Sequence, residues 1–209
     1  MYANRFITSL DRIAVWITRI AFLNILWISY TLLGLIIGGI FPATIAGLGV
    51  VRKWLMGDEE IKVWETFRRI YKQEFISANG LGWILSVIGA GLYLNFKIIE
   101  AFQGQLNMLI PFAFYLTLFF YLLIVVWSFP LKAHYEAGIF RTIINALILG
   151  LTKVHISVII IISLFAITYF SLEVPAFILF LLFSLSALIW FWNAFRVFKT
   201  LDSGAYNKS

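Results

Sequence analysis

Residues 20–51 read IAFLNILWISYTLLGLIIGGIFPATIAGLGVV and contain no charged side chain. Arg52 and Lys53 follow directly and close this apolar run of 32 residues. About 20 apolar residues are enough for a helix to cross the hydrocarbon core of a bilayer. The run is too long for one crossing and somewhat short for two. It therefore predicts a membrane protein whose chain opens with a helical hairpin.

The turn of this hairpin is predicted at Gly38-Gly39, which stands just before Phe41-Pro42. Glycine relaxes the backbone, and proline is favoured in the first turn of a helix, where its missing N–H is not needed. We therefore expect a first span that ends near Gly39, a tight turn, and a short helix from Pro42 to about Met56.

Small residues recur at intervals of four through the hairpin, at Gly34, Gly38, Gly39, Ala43 and Gly47. This spacing lets two helices approach closely in lipid, so we interpret it as a packing feature, with a substrate groove as the alternative. Asn24, Thr31 and Thr44 are polar groups inside the same run. Because buried polar groups need partners in lipid, we expect them to hydrogen-bond across the hairpin or to another span.

The composition indicates a single integral membrane domain over residues 1–209. Hydrophobic residues make up 62% of the chain and charged residues 12%, whereas soluble domains carry about 25% charged residues. The net charge of +6 is explained by the retention of basic loops on the cytoplasmic side, and we expect no binding of nucleic acid. The absence of cysteine excludes disulfides and thiol chemistry.

Four further apolar segments are predicted to cross the membrane, at residues 78–96, 108–131, 154–172 and 176–195. Residues 1–19 are predicted to be either an amphipathic helix on the membrane surface or the protruding start of the first span. Residues 139–152 form a second amphipathic segment.

A third amphipathic helix is predicted around residues 64–78, between the hairpin and the next span. Its apolar residues recur at intervals of three and four. The basic residues Arg68, Arg69 and Lys72 lie off that stripe and are predicted to face anionic lipid headgroups. Docking of a cytoplasmic partner is the alternative role for this helix.

The predicted fold is an all-α polytopic bundle with six crossings, and five crossings are the alternative. With six crossings and a cytoplasmic N-terminus, every Lys and Arg except Lys97 lies inside, which the positive-inside rule favours. With five crossings the basic residues that precede residue 20 lie outside. The six-crossing scheme places Phe41-Pro42 and Phe129-Pro130 on opposite sides of the membrane, whereas the five-crossing scheme places them on the same side.

Catalytic motifs, metal-ligand sets and nucleotide-binding loops are missing from the sequence, and we expect no cofactor, no metal and no enzymatic activity. His134 and His155 are the only histidines, and neither has an obvious set of ligand partners nearby. No ionisable residue lies deep in a predicted span. The relay expected of a proton-coupled carrier is therefore absent from the sequence.

Several short motifs resemble the YesL family of bacterial membrane proteins, in the right order and along nearly the whole chain. They are Asn24-Ile25-Leu26-Trp27, Thr31-Leu32-Leu33-Gly34, Gly39-Ile40-Phe41-Pro42-Ala43-Thr44, Val51-Arg52-Lys53-Trp54, Thr66-Phe67, Tyr71-Lys72-x-Glu74-Phe75, Phe129-Pro130-Leu131, Tyr135-Glu136 and Phe183-Ser184-Leu185. The resemblance implies a polytopic bacterial membrane protein, which we expect in the cytoplasmic membrane. The six-crossing scheme places both termini in the cytoplasm.

The genes of that family commonly accompany ATP-driven carbohydrate importers and glycoside-degrading enzymes, and the family supplies no agreed catalytic residues. The resemblance therefore implies an accessory component for oligosaccharide uptake, which binds the lipid bilayer and the permease subunits of an importer. Two alternatives stay open. One is a membrane enzyme acting on lipid-linked glycans through Glu100, Glu136 or Glu173, and the other is a small channel or carrier.

Overall fold

The computed structural model describes the backbone of residues 2–102 and 107–206 and the side chains of residues 14–102 and 107–203. These residues form helices and no strands, so the chain is all-α, as predicted. The helices are α1 (Tyr2–Leu33), α2 (Ile40–Leu55), α3 (Val63–Ala101), α4 (Leu109–His134), α5 (Ile139–Thr152), α6 (Val154–Glu173), α7 (Pro175–Phe180) and α8 (Leu182–Tyr206).

Four stretches in the described part of the chain are long and apolar enough to cross a membrane: Ala14–Leu33 of α1, and the helices α3, α4 and α6. The chain is therefore a multi-pass membrane protein. Six crossings are not confirmed, because α2 has only 16 residues and the last apolar segment is divided into α7 and α8. The side chains before Ala14, which include the apolar face predicted for residues 1–19, lie outside the described residues.

Helix α2 is the hub of the bundle and contacts α1, α3, α4 and α8. Ten of its 16 residues are buried, as expected for a helix that is apolar on every side. Its small residues allow this close packing. A side chain at Gly47 would collide with the Phe183 ring of α8, and one at Gly49 would collide with Ile70 of α3.

The turn between α1 and α2 is apolar, and its backbone N–H groups are hydrogen-bonded. Helix α1 ends at Leu33, earlier than the predicted end near Gly39. Leu35 and Ile36 take left-handed conformations, with φ of 54° and 64°, whereas the sequence pointed to the glycines. Every backbone N–H from Gly34 to Ile40 donates to a carbonyl within residues 30–36. Because no amide is left free, this turn can lie in hydrocarbon although Leu35 is 84% exposed.

Gly34 and Gly39 bring the two sides of this turn into backbone contact. A Cβ atom at Gly34 would overlap the Gly39 backbone, and one at Gly39 would overlap the Thr31 backbone. The turn therefore has room only for glycine at both positions.

The predicted interfacial helix at residues 64–78 is not a separate element. It is the first half of α3, a continuous helix of 39 residues that also contains the predicted span at residues 78–96. Helix α2 packs along this half, with Phe41 against Gly82, so part of the apolar stripe is buried by protein. Arg68, Arg69 and Lys72 lie exposed on the same half.

The second half of the chain follows the predicted segments more closely. The amphipathic segment 139–152 is α5, and residues 154–173 form α6. Helix α4 continues through Pro130 and ends at His134, whereas the sequence predicted an end at Leu131. The predicted span at residues 176–195 is interrupted at Leu181, between α7 and α8.

The two Phe-Pro pairs lie next to each other. The rings of Phe41 and Phe129 are stacked, with their centroids 6.2 Å apart. The six-crossing scheme separates these pairs by the thickness of the membrane, so this contact agrees with the same-side placement of the five-crossing alternative. At the other end of the hairpin, Trp16 of α1 packs edge-on against Trp54 of α2 at 5.5 Å.

Candidate functional site

The side chain of Asn24 in α1 joins the opening hairpin to the last apolar segment, which is interrupted at Leu181. Its Nδ2 donates to the carbonyl oxygens of Ile178 at 3.1 Å and Leu179 at 2.6 Å, which end α7. Its Oδ1 accepts from the backbone N–H groups of Phe183 at 2.8 Å and Ser184 at 3.2 Å, which begin α8. Asn24 is fully buried. One amide thus satisfies four backbone groups that the break leaves without helical partners.

Trp27 and Thr44 extend this junction across the hairpin. The Trp27 indole stacks on the Phe183 ring with centroids 4.6 Å apart. Its Nε1 donates to Thr44 Oγ1 at 3.1 Å, and the Thr44 hydroxyl donates to the Ile40 carbonyl at 2.7 Å. Ala43, beside Thr44, is fully buried. The structure therefore brings several of the sequence-selected residues together as one packing junction.

Pro130 leaves a carbonyl free inside α4, and a side chain from α8 binds it. Proline has no N–H, so residue 130 cannot donate to the Val126 carbonyl four positions earlier. Trp190 Nε1 donates to that same oxygen at 2.7 Å. The Trp190 ring also packs against Phe129 at 5.9 Å.

Pro42 creates the same gap in the opening hairpin. It cannot donate to the Gly38 carbonyl, and Asn79 Nδ2 of α3 donates to that oxygen at 2.9 Å. Asn79 and Trp190 did not stand out in the sequence. The available signal was a Phe-Pro pair inside an apolar run, since such a proline leaves a carbonyl that needs a donor.

Thr31 differs from the other selected polar residues. Its hydroxyl is buried and has no hydrogen-bond partner among the described residues, so the expected bond across the hairpin is not present. Its backbone carbonyl accepts from Ile36 N at 2.8 Å. Thr31 therefore contributes to the turn through its backbone.

Charged and polar side chains from four helices meet at one end of the bundle. Arg52 Nε donates to His134 Nδ1 at 3.0 Å, and His134 Nε2 lies 3.4 Å from Asp202 Oδ2. Tyr135 OH donates to Asp202 Oδ1 at 2.8 Å. These contacts connect the ends of α2, α4 and α8.

The fourth helix joins this network through an ion pair. Lys132 Nζ lies 3.1 Å from Glu74 Oε2 of α3, and it also donates to the Ala137 carbonyl at 3.1 Å. Ser77 Oγ donates to Glu74 as well. Only 7% of the Lys132 side chain is exposed, so the charge is shielded and the pair holds α3 against α4.

Tyr135 acts as a fixed hydrogen-bond donor in this network. Burial, and then the hydrogen bond to the Asp202 carboxylate, raise the pKa of the Tyr135 hydroxyl far above its ordinary value. The hydroxyl therefore stays protonated at physiological pH. Asp202 lies in the polar segment at the end of the sequence, and no feature of the sequence predicted this contact.

A cleft of about 350 Å³ opens in this polar end. We call it the basic cleft, because its walls carry more cations than carboxylates. The charged lining residues are Arg52, Lys53, Arg69, Glu74, Lys132 and Glu136. Three of the motifs that were separate in sequence meet here, around residues 51–54, 71–75 and 135–136. Glu100 pairs with Lys97 at 2.7 Å, and Glu173 ends α6, so neither carboxylate lines this cleft.

Known proteins with similar sequences support the resemblance. Residues 20–96 match the family described as "Protein of unknown function, DUF624". The chain is 28% identical to the uncharacterized protein YesL of Bacillus subtilis over 193 residues, which cover 92% of this chain and 91% of that protein. The predicted resemblance to the YesL family is confirmed. No solved structure matches this chain.

Two further relatives from Bacillus subtilis match over shorter lengths. The uncharacterized protein YteU is 38% identical over 125 residues, 60% of this chain and 56% of its own length. The uncharacterized protein YesV is 33% identical over 134 residues, 64% of each chain. The chain thus spans less than two thirds of the length of these two curated relatives.

The junction predicts a large effect of Asn24→Leu. Leucine has the same number of side-chain heavy atoms, branched at the same carbon, but it leaves the four backbone groups at the break without partners. We therefore expect the free energy of unfolding to fall by about 2–4 kcal/mol. Asn95→Leu is the matched control, because the Asn95 amide donates to Gly91 of its own helix. Denaturant titration in mixed micelles measures both changes. Equal small effects of the two substitutions would contradict the role of Asn24.

The contact of Trp190 with the Val126 carbonyl predicts that substitutions at Pro130 and Trp190 are coupled in a double-mutant cycle. Trp190→Phe removes the donor to the Val126 carbonyl, and we expect a loss of about 1–2 kcal/mol in the free energy of unfolding. In the Pro130→Ala background the new Ala N–H reaches the same oxygen. The loss on Trp190→Phe should then fall by at least half. Additive effects in the same denaturant titration would refute the shared carbonyl.

Proposed function

We propose that this YesL-type chain is an accessory membrane protein for oligosaccharide uptake, which binds the permease subunits of an ATP-driven importer and has no catalytic chemistry of its own. The family resemblance supports the link to carbohydrate uptake. The structural observation that carries the proposal is an apolar arm that the rest of the fold leaves uncovered.

The arm consists of two segments. Residues 87–102 are the end of α3 and its C-cap residue, and residues 108–122 are the N-cap residue and the first half of α4. No residue of the arm is buried. Its two sides contact each other, for example through Phe96 and Phe114 with ring centroids 6.1 Å apart. The most exposed apolar side chains are Val87, Tyr93, Leu94, Met108, Leu109 and Phe112, all at 60% or more.

Small residues on the arm suit a neighbouring membrane helix as its occupant. Ala90 is exposed, and a side chain at Gly91 would meet no atom within 4 Å. Helices associate in lipid through close backbone approach at small residues, since burial of apolar surface provides little driving force there. A transmembrane helix of a permease therefore fits this arm, while lipid covers the remaining apolar surface.

We further propose a topology with four crossings, made by α3, α4, α6 and the α7–α8 segment. In this topology α1 and α2 form a hairpin that enters and leaves on the cytoplasmic side of the bacterial cytoplasmic membrane. The contact of Phe41 with Phe129 and the contact of Trp16 with Trp54 support it. Both termini are then cytoplasmic, and Lys97 is the one basic residue outside, as the positive-inside rule favours.

Single-cysteine labelling tests this topology, because the chain has no cysteine of its own. In intact cells we expect an impermeant maleimide to label Lys97→Cys and to leave Leu35→Cys unlabelled, since Leu35 lies at the tip of the hairpin within the membrane. Lys199→Cys should react only after permeabilisation. External labelling of Leu35→Cys would support six crossings instead.

Co-purification tests the proposed function. From membranes of the source cells in mild detergent, the tagged chain should recover importer permease subunits. Ala90→Trp should reduce this recovery at least about fivefold, because a large ring blocks close helix approach. Ile144→Trp is the control, since it adds the same ring at an exposed position of α5 away from the arm.

Three outcomes would contradict the proposal. The first is recovery of the chain without permease subunits, and the second is equal recovery by both tryptophan variants. The third is oligosaccharide flux into vesicles that contain this chain alone, which would favour the channel or carrier. Loss of cellular function on Glu136→Gln with intact co-purification would favour the glycan enzyme.

A further inference from the structure

The lining of the basic cleft carries more cations than carboxylates. Its cations are Arg52, Lys53, Arg69 and Lys132, and its carboxylates are Glu74 and Glu136. Glu74 is paired with Lys132 at 3.1 Å. Lys53 is paired with Asp58 at 3.7 Å, outside the cleft lining.

Within the part of the chain that the structure describes, neither arginine has such a partner. Among residues 14–102 and 107–203, no carboxylate oxygen lies within 4.0 Å of the Arg52 or Arg69 guanidinium. Arg69 is exposed, but Arg52 is partly buried. A charge that is withdrawn from water is normally compensated by an opposite charge. A bound anion is therefore expected beside Arg52.

The contact of Arg52 with His134 does not supply this compensation. Arg52 Nε donates to His134 Nδ1 at 3.0 Å, so this nitrogen accepts and its ring proton lies on Nε2, toward Asp202. The imidazole orients the guanidinium without adding negative charge. The terminal N–H groups of Arg52 make no hydrogen bond to another described residue. A guanidinium with two parallel donors matches the geometry of a phosphate group.

We propose that the basic cleft binds a phosphate group, carried either by the headgroup of an anionic phospholipid or by a soluble phosphate ester. Arg52 and Arg69 bind the phosphate oxygens, because neither guanidinium has a carboxylate partner among the described residues. The volume of about 350 Å³ lies within the range of small-ligand sites, about 300–1,000 Å³. The Lys132–Glu74 pair closes the inner wall and is already neutral.

This site lies at the polar end of the bundle, and the proposed permease contact lies on the α3–α4 arm. The two proposals therefore stand on different residues, and failure of one leaves the other in place.

Thermal unfolding in uncharged maltoside micelles tests the cleft. Sodium phosphate and phosphatidylglycerol are titrated separately, with sodium chloride at matched ionic strength and diacylglycerol as the phosphate-free controls. Because ligand that binds only the folded state stabilises it, we expect a saturable rise in melting temperature with at least one phosphate probe. Arg52→Gln and Arg69→Gln should each weaken this binding about tenfold, whereas Arg141→Gln on α5, outside the cleft, should not change it.

The two probes distinguish the sources of the phosphate. A rise with phosphatidylglycerol alone identifies a lipid headgroup, and a rise with inorganic phosphate as well identifies a soluble phosphate compound. Equal rises with the phosphate-free controls, no saturable rise, or an unchanged response in Arg69→Gln would overturn the proposal. Arg69 is exposed, so its substitution keeps the test valid even if Arg52→Gln does not fold.

Discussion

Backbone hydrogen bonding in a medium without water constrains this fold more than any other factor. Each N–H or C=O left unpaired in hydrocarbon costs on the order of several kcal/mol. The chain nevertheless breaks the last apolar segment at Leu181, and Pro42 and Pro130 each remove one backbone hydrogen bond from a helix. A side chain from another helix supplies the missing hydrogen bonds in each case: Asn24 at Leu181, Asn79 at Pro42 and Trp190 at Pro130. Irregular backbone is stable in this fold because side chains from distant positions supply its missing hydrogen bonds.

These side chains also fix the packing around α2. A donor side chain reaches the carbonyl that a proline leaves unpaired only if the two helices lie close together. Small residues of α2 provide the space for this approach: Gly47 faces the Phe183 ring, and Gly49 faces Ile70. The hairpin, the broken segment and the first half of α3 therefore assemble as one tightly packed unit. The arm extends from that unit and remains exposed, which suits contacts with other membrane components.

Hydropathy and amphipathic periodicity predicted most of the helices, because both depend on local sequence. Helices α5 and α6 have nearly the predicted bounds. The importance of Asn24 was also visible, since a lone amide in an apolar run needs partners. Its partners were not predictable, because they lie more than 150 positions away and Leu181 is marked by neither glycine nor proline. The basic cleft was missed for the same reason: its charges come from distant segments, and Asp202 acquires its role only when α8 packs beside α4.

Hydrogen exchange of the protein in lipid nanodiscs tests the central claim most directly. If side chains and local carbonyls complete the irregular backbone, amides of residues 34–40 and 183–185 should exchange as slowly as those inside α4. The polar connection at residues 59–62 serves as the fast reference. Exchange at residues 34–40 or 183–185 as fast as at residues 59–62 would show that these amides are open to water, and would contradict the account.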